Sequence, residues 1–179
     1  LAELAQNRRL NPLSPEELNK IGQPMFSRAV SHVLPSGTTL NTTLYRNSAS
    51  GNYDYFDSAD RYRFALAHTW YGITSAANIQ RGALALNTGL NANTYARAHR
   101  AFLRPDLNTS LYDNTGHKQD ASVFAKASLE QGRVRWFVDL QGRWAQFRYD
   151  PDARAGITER SIDWAFFNPK VGATMQLRT

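Results

Sequence analysis

The 179-residue chain contains no cysteine, which excludes a disulfide framework and thiolate metal sites. It has no apolar run close to the roughly 18 residues that a membrane-spanning helix needs, so a helical membrane protein is excluded. A β-barrel is not excluded, because alternating residues hide an apolar face from hydropathy averages. The chain opens Leu1-Ala2-Glu3, without an initiator Met, a basic flank or an apolar core, so we predict no signal peptide.

Runs of like charge are also missing, although the net charge is +6 and the pI about 9.8. The Lys and Arg residues are spread along the chain instead of clustering on one stripe, which argues against a nucleic-acid module. The best basic aromatic patch is Arg133, Arg135 and Arg143 beside Trp136 and Phe137. A soluble antiparallel β domain that binds a ligand or nucleic acid through this patch is the alternative hypothesis.

Motifs of catalysis and metal binding are absent as well. No P-loop, dinucleotide fingerprint or Gly-x-Ser-x-Gly occurs. The four histidines lack metal-ligand spacing: His32, His68, His99 and His117. Two acidic pairs lie in turns, where Asp is common for conformational reasons: Asp57 with Asp60, and Asp150 with Asp152. We predict no enzymatic activity, no metal site and no cofactor.

What the sequence does have is long alternation of apolar and polar residues. After the tight turn Glu130-Gln131-Gly132, the segment 133–149 alternates throughout its first half. Its apolar or small positions are Val134, Trp136, Val138, Leu140, Gly142 and Trp144; its polar face carries Arg135, Asp139, Gln141 and Arg143. Such alternation predicts a strand with two unlike faces. A strand of this length is far longer than the usual five or six residues.

The aromatic spacing matches a bilayer. Trp136 and Trp144 are eight residues apart, or about 26 Å along a strand. A tilt of about 40° reduces this to roughly 20 Å of height, close to the apolar band of about 25 Å in outer-membrane barrels. Tyr62 and Trp70 repeat the spacing. We therefore predict that Tyr62, Trp70, Trp136 and Trp144 form lipid-facing aromatic girdles.

Several segments resemble the barrel strands of TonB-dependent receptors, the ligand-gated active importers of Gram-negative outer membranes. They are Asn114 to Asp120 with Phe124 to Ala127, Phe137 to Arg143, and Phe167 to Gly172. Gly51 to Phe56 is similar to the element with which such receptors end an upward strand. The resemblance covers most of residues 24–179.

The resemblance implies a fragment of a receptor that imports a scarce ligand such as an iron-siderophore complex across the cell outer membrane. The implied partners are outer-membrane lipid and lipopolysaccharide, the ligand, and a plug domain and an energy-coupling protein reached through the parent chain. No nucleic-acid partner is expected. The family's plug and energy-coupling box are not recognised here, so we expect an internal piece of a longer precursor.

The fold prediction is all-β: an antiparallel up-and-down meander of about seven long strands, part of a transmembrane β-barrel and an open curved sheet in isolation. Residues 1–23 are predicted to be an outer loop with a short helix near Ser14 to Lys20, and residues 24–179 the partial barrel. The predicted strands are 25–34, 38–47, 61–71, 81–97, 120–129, 133–149 and 164–177. Short and long connections alternate, the long ones being 48–59, 98–119 and 150–161. This alternation places 38–47, 81–97 and 133–149 in outward-running strands.

The two faces receive different roles. The exposed, lipid-facing set is predicted to include Leu84, Leu86, Leu90, Val134, Trp136, Val138, Leu140, Val171, Ala173 and Met175. The lumen-facing candidates for docking a plug are Lys126, Arg135, Asp139, Gln141, Arg143 and Lys170. The outer-loop candidates for ligand contact are Tyr53, Tyr55 and Arg100, together with the loop 98–119. The asparagines of the strand 81–97 favour a hydrated lumen over a dry core, because each buried amide needs hydrogen-bond partners.

Overall fold

The computed structural model describes residues 18–57 and 59–177, which form one antiparallel sheet. Its strands are β1 Asn19–Gly22, β2 Met25–Val33, β3 Thr39–Asp57, β4 Asp60–Arg81, β5 Leu84–Leu103, β6 Ser110–Gln131, β7 Val134–Asp150 and β8 Arg160–Met175. Within these ranges the helical structure is a 3-10 turn at Ala153–Ala155, and no helix is long and apolar enough to cross a membrane.

The strands form an up-and-down meander that is not closed into a barrel. From β3 to β8 each strand pairs with the next. β1 and β2 pair with successive parts of β3, so together they act as one interrupted edge strand. The interruption falls at Gln23 and Pro24, since proline has no backbone N–H to donate to a ladder. The predicted all-β meander is confirmed, with its first strand in two pieces.

The start of the chain differs from the prediction. Asn19 and Lys20 were placed at the end of a short helix, but they lie in β1, opposite Tyr53 and Asn52. Pairing with the free edge of β3 satisfies their backbone groups, which overrides weak local helix signals. The rest of that helix, from Ser14 to residue 17, lies outside the described residues.

Strands also extend through most of the predicted loops. The segments 48–57 and 74–80 are paired strand, and the irregular stretch predicted at 98–119 shrinks to 104–109. Asn, Gly and Asp are common in turns, but backbone ladders do not require particular side chains, so these residues still pair. The strands reach 22 residues in β4 and β6. Because about 9 to 11 tilted residues cross a bilayer, the sheet is much taller than an apolar core.

The pairing register gives the sheet two unlike faces. The row Leu44, Ile73, Ala92, Ala121, Trp144 and Ala165 crosses β3 to β8 on one side. The adjacent row Tyr45, Gly72, Asn93, Asp120, Ala145 and Trp164 crosses on the other. We call the side of Trp136, Val138 and Trp144 the apolar face, and the side of Asp139, Gln141 and Arg143 the polar face.

The apolar face has no second layer against it. Among residues 18–57 and 59–177 the buried hydrophobic side chains are Ala101 and Ala145 alone. All ten predicted lipid-facing residues share the apolar face; eight are exposed, whereas Leu86 and Val134 are half-buried. Val171 is 78% exposed and Trp136 is 51% exposed. Apolar exposure of this extent marks a surface that is covered by a membrane or a partner.

The apolar band ends just beyond Trp144. One step further along the strands, the same face carries the row Arg46, Tyr71, Thr94, Gln119, Gln146 and Asp163. Beyond it, Asp54 accepts hydrogen bonds from Arg63 Nε at 2.7 Å and Arg104 at 3.0 Å. Two more pairs follow on this side, Arg100 with Asp113 and Arg148 with Asp150. At this end the apolar stripe is therefore bounded by ionic groups.

Two aromatic rings on the polar face pack against glycine. Phe124 covers Gly89 and Phe137 covers Gly172, where an added Cβ would lie 2.8 Å and 2.6 Å from the respective rings. A side chain at either glycine would displace the ring. These phenylalanines are part of the wall of the sheet, which distinguishes them from the aromatic groups described below.

Candidate ligand-contact surface

The register places the six predicted plug-docking residues together on the polar face. Lys126, Asp139 and Lys170 lie directly opposite one another in β6, β7 and β8. Arg135, Gln141 and Arg143 extend the charged surface along β7. The row of cation, anion and cation lies across three strands, so a docking partner would meet both signs of charge at one height.

Two of these arginines make ion pairs of very different exposure. Arg143 donates from Nε to Asp120 Oδ2 at 2.9 Å, and the Asp120 side chain is only 7% exposed. Arg135 pairs with Glu130, but both side chains are more than half exposed. Exposed pairs contribute little, whereas an unpaired buried carboxylate is costly. Asp120 therefore ties Arg143 to the wall, while Arg135 is available to a partner.

An aromatic ladder crosses four strands further along the polar face. Tyr53 stacks on Phe64 with ring centroids 5.1 Å apart, and Phe64 lies 6.0 Å from His99. His99 stacks on Tyr112 at 5.4 Å, and the Tyr112 hydroxyl lies 2.7 Å from His99 Nδ1. Stacked pairs stabilise one another beyond the area that they bury. The ladder is a row of stacked rings with polar edges.

A second aromatic cluster lies between the ladder and the charged rows. Trp70 meets Tyr45 edge to face at 5.3 Å, and Tyr95 lies 5.5 Å from His68. Trp70 and Tyr95 also line a concave site of about 500 Å³ together with Asn91, Asn93, Lys118, Asp120, Ser122, Gln141 and Arg143. That volume is within the range of small-molecule sites.

Two cations beside this cluster have no carboxylate partner among the described residues. Lys118 lies directly opposite Tyr95, and Arg97 lies opposite His68. Both side chains are exposed. An anionic group held here would meet charge that the protein itself does not neutralise.

The loop 151–159 is fastened to the start of β6, next to the Tyr112 end of the ladder. Asp152 accepts hydrogen bonds from Arg154 Nε at 2.9 Å and from the Asp113 amide at 2.8 Å, and its own amide donates to Asn114 Oδ1. The Arg154 side chain and then the Arg154 amide lower the pKa of Asp152 well below its ordinary value. Arg154 also donates to the Ser110 carbonyl at 2.6 Å. The loop is thus held in place at this rim.

Metal ligands are not clustered in the part of the chain that the structure describes: no three His, Asp or Glu side chains there could together hold an ion. The surface is one of aromatic rings, amides and cations. It favours stacking and ionic contact over inner-sphere coordination of a bare metal.

Comparison with known proteins finds matches in structure but not in sequence. No family model matches the chain, and no curated protein matches it in sequence. Solved structures do match: the ferric citrate transporter FecA in its unliganded form superposes with a TM-score of 0.76 at 9% identity, covering 99% of this chain. The fold is that of a TonB-dependent receptor barrel, in part.

Two further structures with this TonB-dependent receptor fold agree. The copper transporter OprC gives a TM-score of 0.68 at 16% identity over 89% of this chain. The siderophore receptor PiuA from Acinetobacter baumannii gives 0.61 at 14% identity over 90%. The chain spans only 28%, 27% and 31% of FecA, OprC and PiuA. It corresponds to between a quarter and a third of each receptor.

The predicted lipid-facing girdle is wrong for two of its four aromatic residues. Trp136 and Trp144 lie on the apolar face, but Tyr62 and Trp70 lie on the polar face with Tyr95 and Arg143. An eight-residue spacing is the same on both sides of a strand, so spacing alone does not assign the face. The phase was visible further along β4, where Tyr71 and Ile73 alternate with Gly72 and Thr74. Tyr71, which is 54% exposed, is the β4 aromatic on the apolar face.

The predicted ligand-contact set is also divided by the sheet. Tyr53 and Tyr55 lie on the polar face, where Tyr53 begins the ladder. Arg100 lies on the opposite face and donates from Nε to Asp113 at 2.8 Å. All three are in strands and not in loops, because β3 and β5 continue through the segments that were predicted to be irregular. Arg100 therefore does not share a site with the two tyrosines.

The sequence prediction missed most of the aromatic groups on the polar face. Phe64 and Arg97 were assigned no role, and His99, Tyr112 and Lys118 were included only as part of the loop 98–119 that the ligand was expected to meet. Their signal was alternation continuing upward from the asparagines of β5 through Tyr95, Arg97 and His99. That signal was lost when the strand was ended at residue 97.

Proposed function

We propose that this chain forms part of the barrel wall of a TonB-dependent receptor, which imports a scarce ligand such as an iron-siderophore complex across the Gram-negative outer membrane. The observation that carries the proposal is a single sheet whose exposed apolar face bears Trp136 and Trp144 at a bilayer-sized spacing. A soluble sheet would need a second layer over that face. Hydrocarbon supplies one without further protein.

We assign ligand contact to the upper part of the polar face, meaning the end of the strands that carries the connections 104–109 and 151–159. The ladder from Tyr53 to Tyr112 offers stacking surface, and Lys118 and Arg97 offer positive charge without a competing carboxylate. A chelate with planar aromatic groups and net negative charge uses both features through stacking and charge-assisted hydrogen bonds. Tyr55 lies beside this surface on the same face, whereas Arg100 has no part in it.

We assign plug docking to the lower part of the polar face, towards the turns at 82–83 and 132–133. Lys126, Asp139, Lys170 and Gln141 present charge and amide groups to the lumen, with Arg135 and Arg143 at either side. A hydrated lumen accepts these groups, because each can pair with a second domain or with water. The plug and the energy-coupling protein are partners through other parts of a parent receptor. The wall itself has no enzymatic role.

Uptake measurements test the proposal with two double variants, one on the polar face and one on the apolar face. The complete outer-membrane protein that contains this chain is expressed under iron limitation, and uptake is measured for radiolabelled ferric catecholate, ferric citrate and ferric hydroxamate complexes. Arg97→Gln with Lys118→Gln should lower the apparent affinity for the aromatic anionic chelate about tenfold, because two charge-assisted contacts are lost.

The control is Arg28→Gln with Arg46→Gln, which removes the same charge from the apolar face and should leave uptake unchanged. Energy-dependent uptake of none of the three chelates, by a protein that fractionates with the outer membrane, would contradict the import function. Extraction of the protein in plain buffer would contradict the membrane location.

A further inference from the structure

The upper end of the apolar band contains a hollow of about 590 Å³. Its floor is formed by Ala92 and Ala121, which lie side by side in β5 and β6. Ile73 stands on one side of these two alanines and Trp144 on the other, in the same row of the sheet. Two small residues between two large ones leave a trough about as wide as the three strand spacings that separate its walls, roughly 14 Å.

Two arginines lie beside this trough on the same face. Arg28 is directly opposite Leu44, and Arg46 is directly opposite Tyr71; both Leu44 and Tyr71 line the hollow. The two arginines are diagonal neighbours on β2 and β3, and both are exposed. Neither has a carboxylate partner among the described residues.

Three other arginines of this face make a useful contrast. Arg63, Arg100 and Arg148 each pair with an aspartate further from the apolar band. Arg28 and Arg46 therefore stand apart as two neighbouring cations without a carboxylate partner among the described residues, and an anion bound between them would offset their mutual repulsion. Arg28 lies in the same row of the sheet as Trp144. Arg46 lies in the next row, where the apolar stripe gives way to polar residues.

We propose that this corner of the sheet binds one phosphorylated glycolipid of the outer leaflet, lipopolysaccharide, as a defined annular ligand. An acyl chain lies over Ala92 and Ala121, and a phosphate of the lipid is held by Arg28 and Arg46. Arginine suits this role because its planar guanidinium binds phosphate in a bidentate manner. The outer leaflet is favoured because the longer connections 104–109 and 151–159 lie at this end of the strands. The inference rests on the proposed outer-membrane function.

The test uses the complete outer-membrane protein, purified in non-ionic detergent and freed of bound lipid. Binding is measured by native mass spectrometry with three probes: bisphosphorylated lipid A, the same lipid without its phosphates, and phosphatidylglycerol. Arg28→Gln with Arg46→Gln should weaken binding of bisphosphorylated lipid A by about tenfold or more. Arg97→Gln with Lys118→Gln, an equal charge change on the polar face, should not. Ala92→Phe should weaken all acylated probes by filling the trough.

Equal binding of the phosphate-free lipid, or tighter binding of phosphatidylglycerol, would overturn the assignment to lipopolysaccharide. Unchanged lipid A binding in the Arg28 and Arg46 double variant would overturn the site itself. If lipid A binding is unchanged but the protein still fractionates with the outer membrane and imports its ligand, this inference fails while the proposed function stands.

Discussion

Val138 and Asp139 are neighbours in β7, yet they lie in opposite environments. Val138 is flanked across the strands by Ala127 and Val171, whereas Asp139 is flanked by Lys126 and Lys170. The contrast repeats along the sheet, because each face keeps its character over several strands. One face has the chemistry of a hydrocarbon boundary and the other that of a hydrated lumen.

The contrast between the two faces also changes along the length of the strands. On the apolar face, the stripe that contains Trp136 and Trp144 gives way to ion pairs such as Asp54 with Arg63. On the polar face, paired charges give way to the stacked rings of Tyr53, Phe64 and His99. The face on which a side chain lies therefore determines its surroundings, hydrocarbon or water. Its position along the strand determines whether its neighbours are apolar, ionic or aromatic.

The largest expected effect is that of a charge in the apolar stripe. Val138→Arg in the complete barrel should lower the free energy of unfolding by about 2 to 4 kcal/mol, because the guanidinium must enter hydrocarbon near the midplane. Denaturant titration of the refolded protein in lipid vesicles measures the change.

Gln141→Arg is the matched control for Val138→Arg. It introduces the same side chain into the same strand, but on the polar face, and the free energy of unfolding should change by less than about 0.5 kcal/mol. Equal costs for the two variants would remove the distinction between the faces.

A second test divides the polar face by burial. Arg143→Ala leaves the nearly buried Asp120 carboxylate unpaired, so the free energy of unfolding should fall by about 1 to 3 kcal/mol. We also expect the plug to loosen, measured as greater entry of bulky antibiotics, with ligand affinity at the outer surface nearly unchanged. Arg135→Ala breaks an exposed pair and should cost no more than about 1 kcal/mol.

A charge exchange separates the two roles of Arg143. Asp120→Arg with Arg143→Asp should restore most of the unfolding free energy. If antibiotic exclusion returns with it, the ion pair acts on the plug only through the shape of the wall. If ligand binding is lost while antibiotics stay excluded, Arg143 contacts the ligand and the plug-docking proposal is wrong.

The smallest expected effect is a pH dependence at the rim. Arg154 and two backbone amides hold the pKa of Asp152 below its ordinary value. A lowered folded-state pKa stabilises the loop 151–159 above the ordinary carboxyl pKa of about 3.9, and this stability is lost as the pH falls through the folded pKa. Hydrogen exchange of the loop, corrected for intrinsic rates, should be flat from neutral pH to about 5 and rise below about 4.

Asp152→Asn provides the control for the rim. It removes the titrating group, so the acid-dependent part of the exchange should disappear while the exchange at neutral pH increases. Acid-dependent loosening that persists unchanged in Asp152→Asn would assign the transition to a group other than Asp152.

Alternation predicted the meander and both faces of β7, because strand periodicity is a local property of the sequence. It failed in assigning some side chains to a face: Trp70 and Arg100 were each assigned to the wrong surroundings, and the register with β5 and β6 corrects them. The strand ends were also too short, since Asn52 and Asp54 resemble loop residues although their backbones pair. The Asp120 partner of Arg143 lies on another strand and has no local signal in β7.

The most direct test of the two-faced wall uses the absence of cysteine from this chain. In the complete barrel, with any other cysteines replaced, single cysteines at each position from 136 to 144 are spin-labelled and reconstituted in lipid vesicles. Accessibility is measured by electron paramagnetic resonance with oxygen, which partitions into hydrocarbon, and with a water-soluble nickel chelate. A two-faced wall predicts that even positions favour oxygen and odd positions favour the nickel chelate. The same preference at adjacent positions across the segment would contradict it.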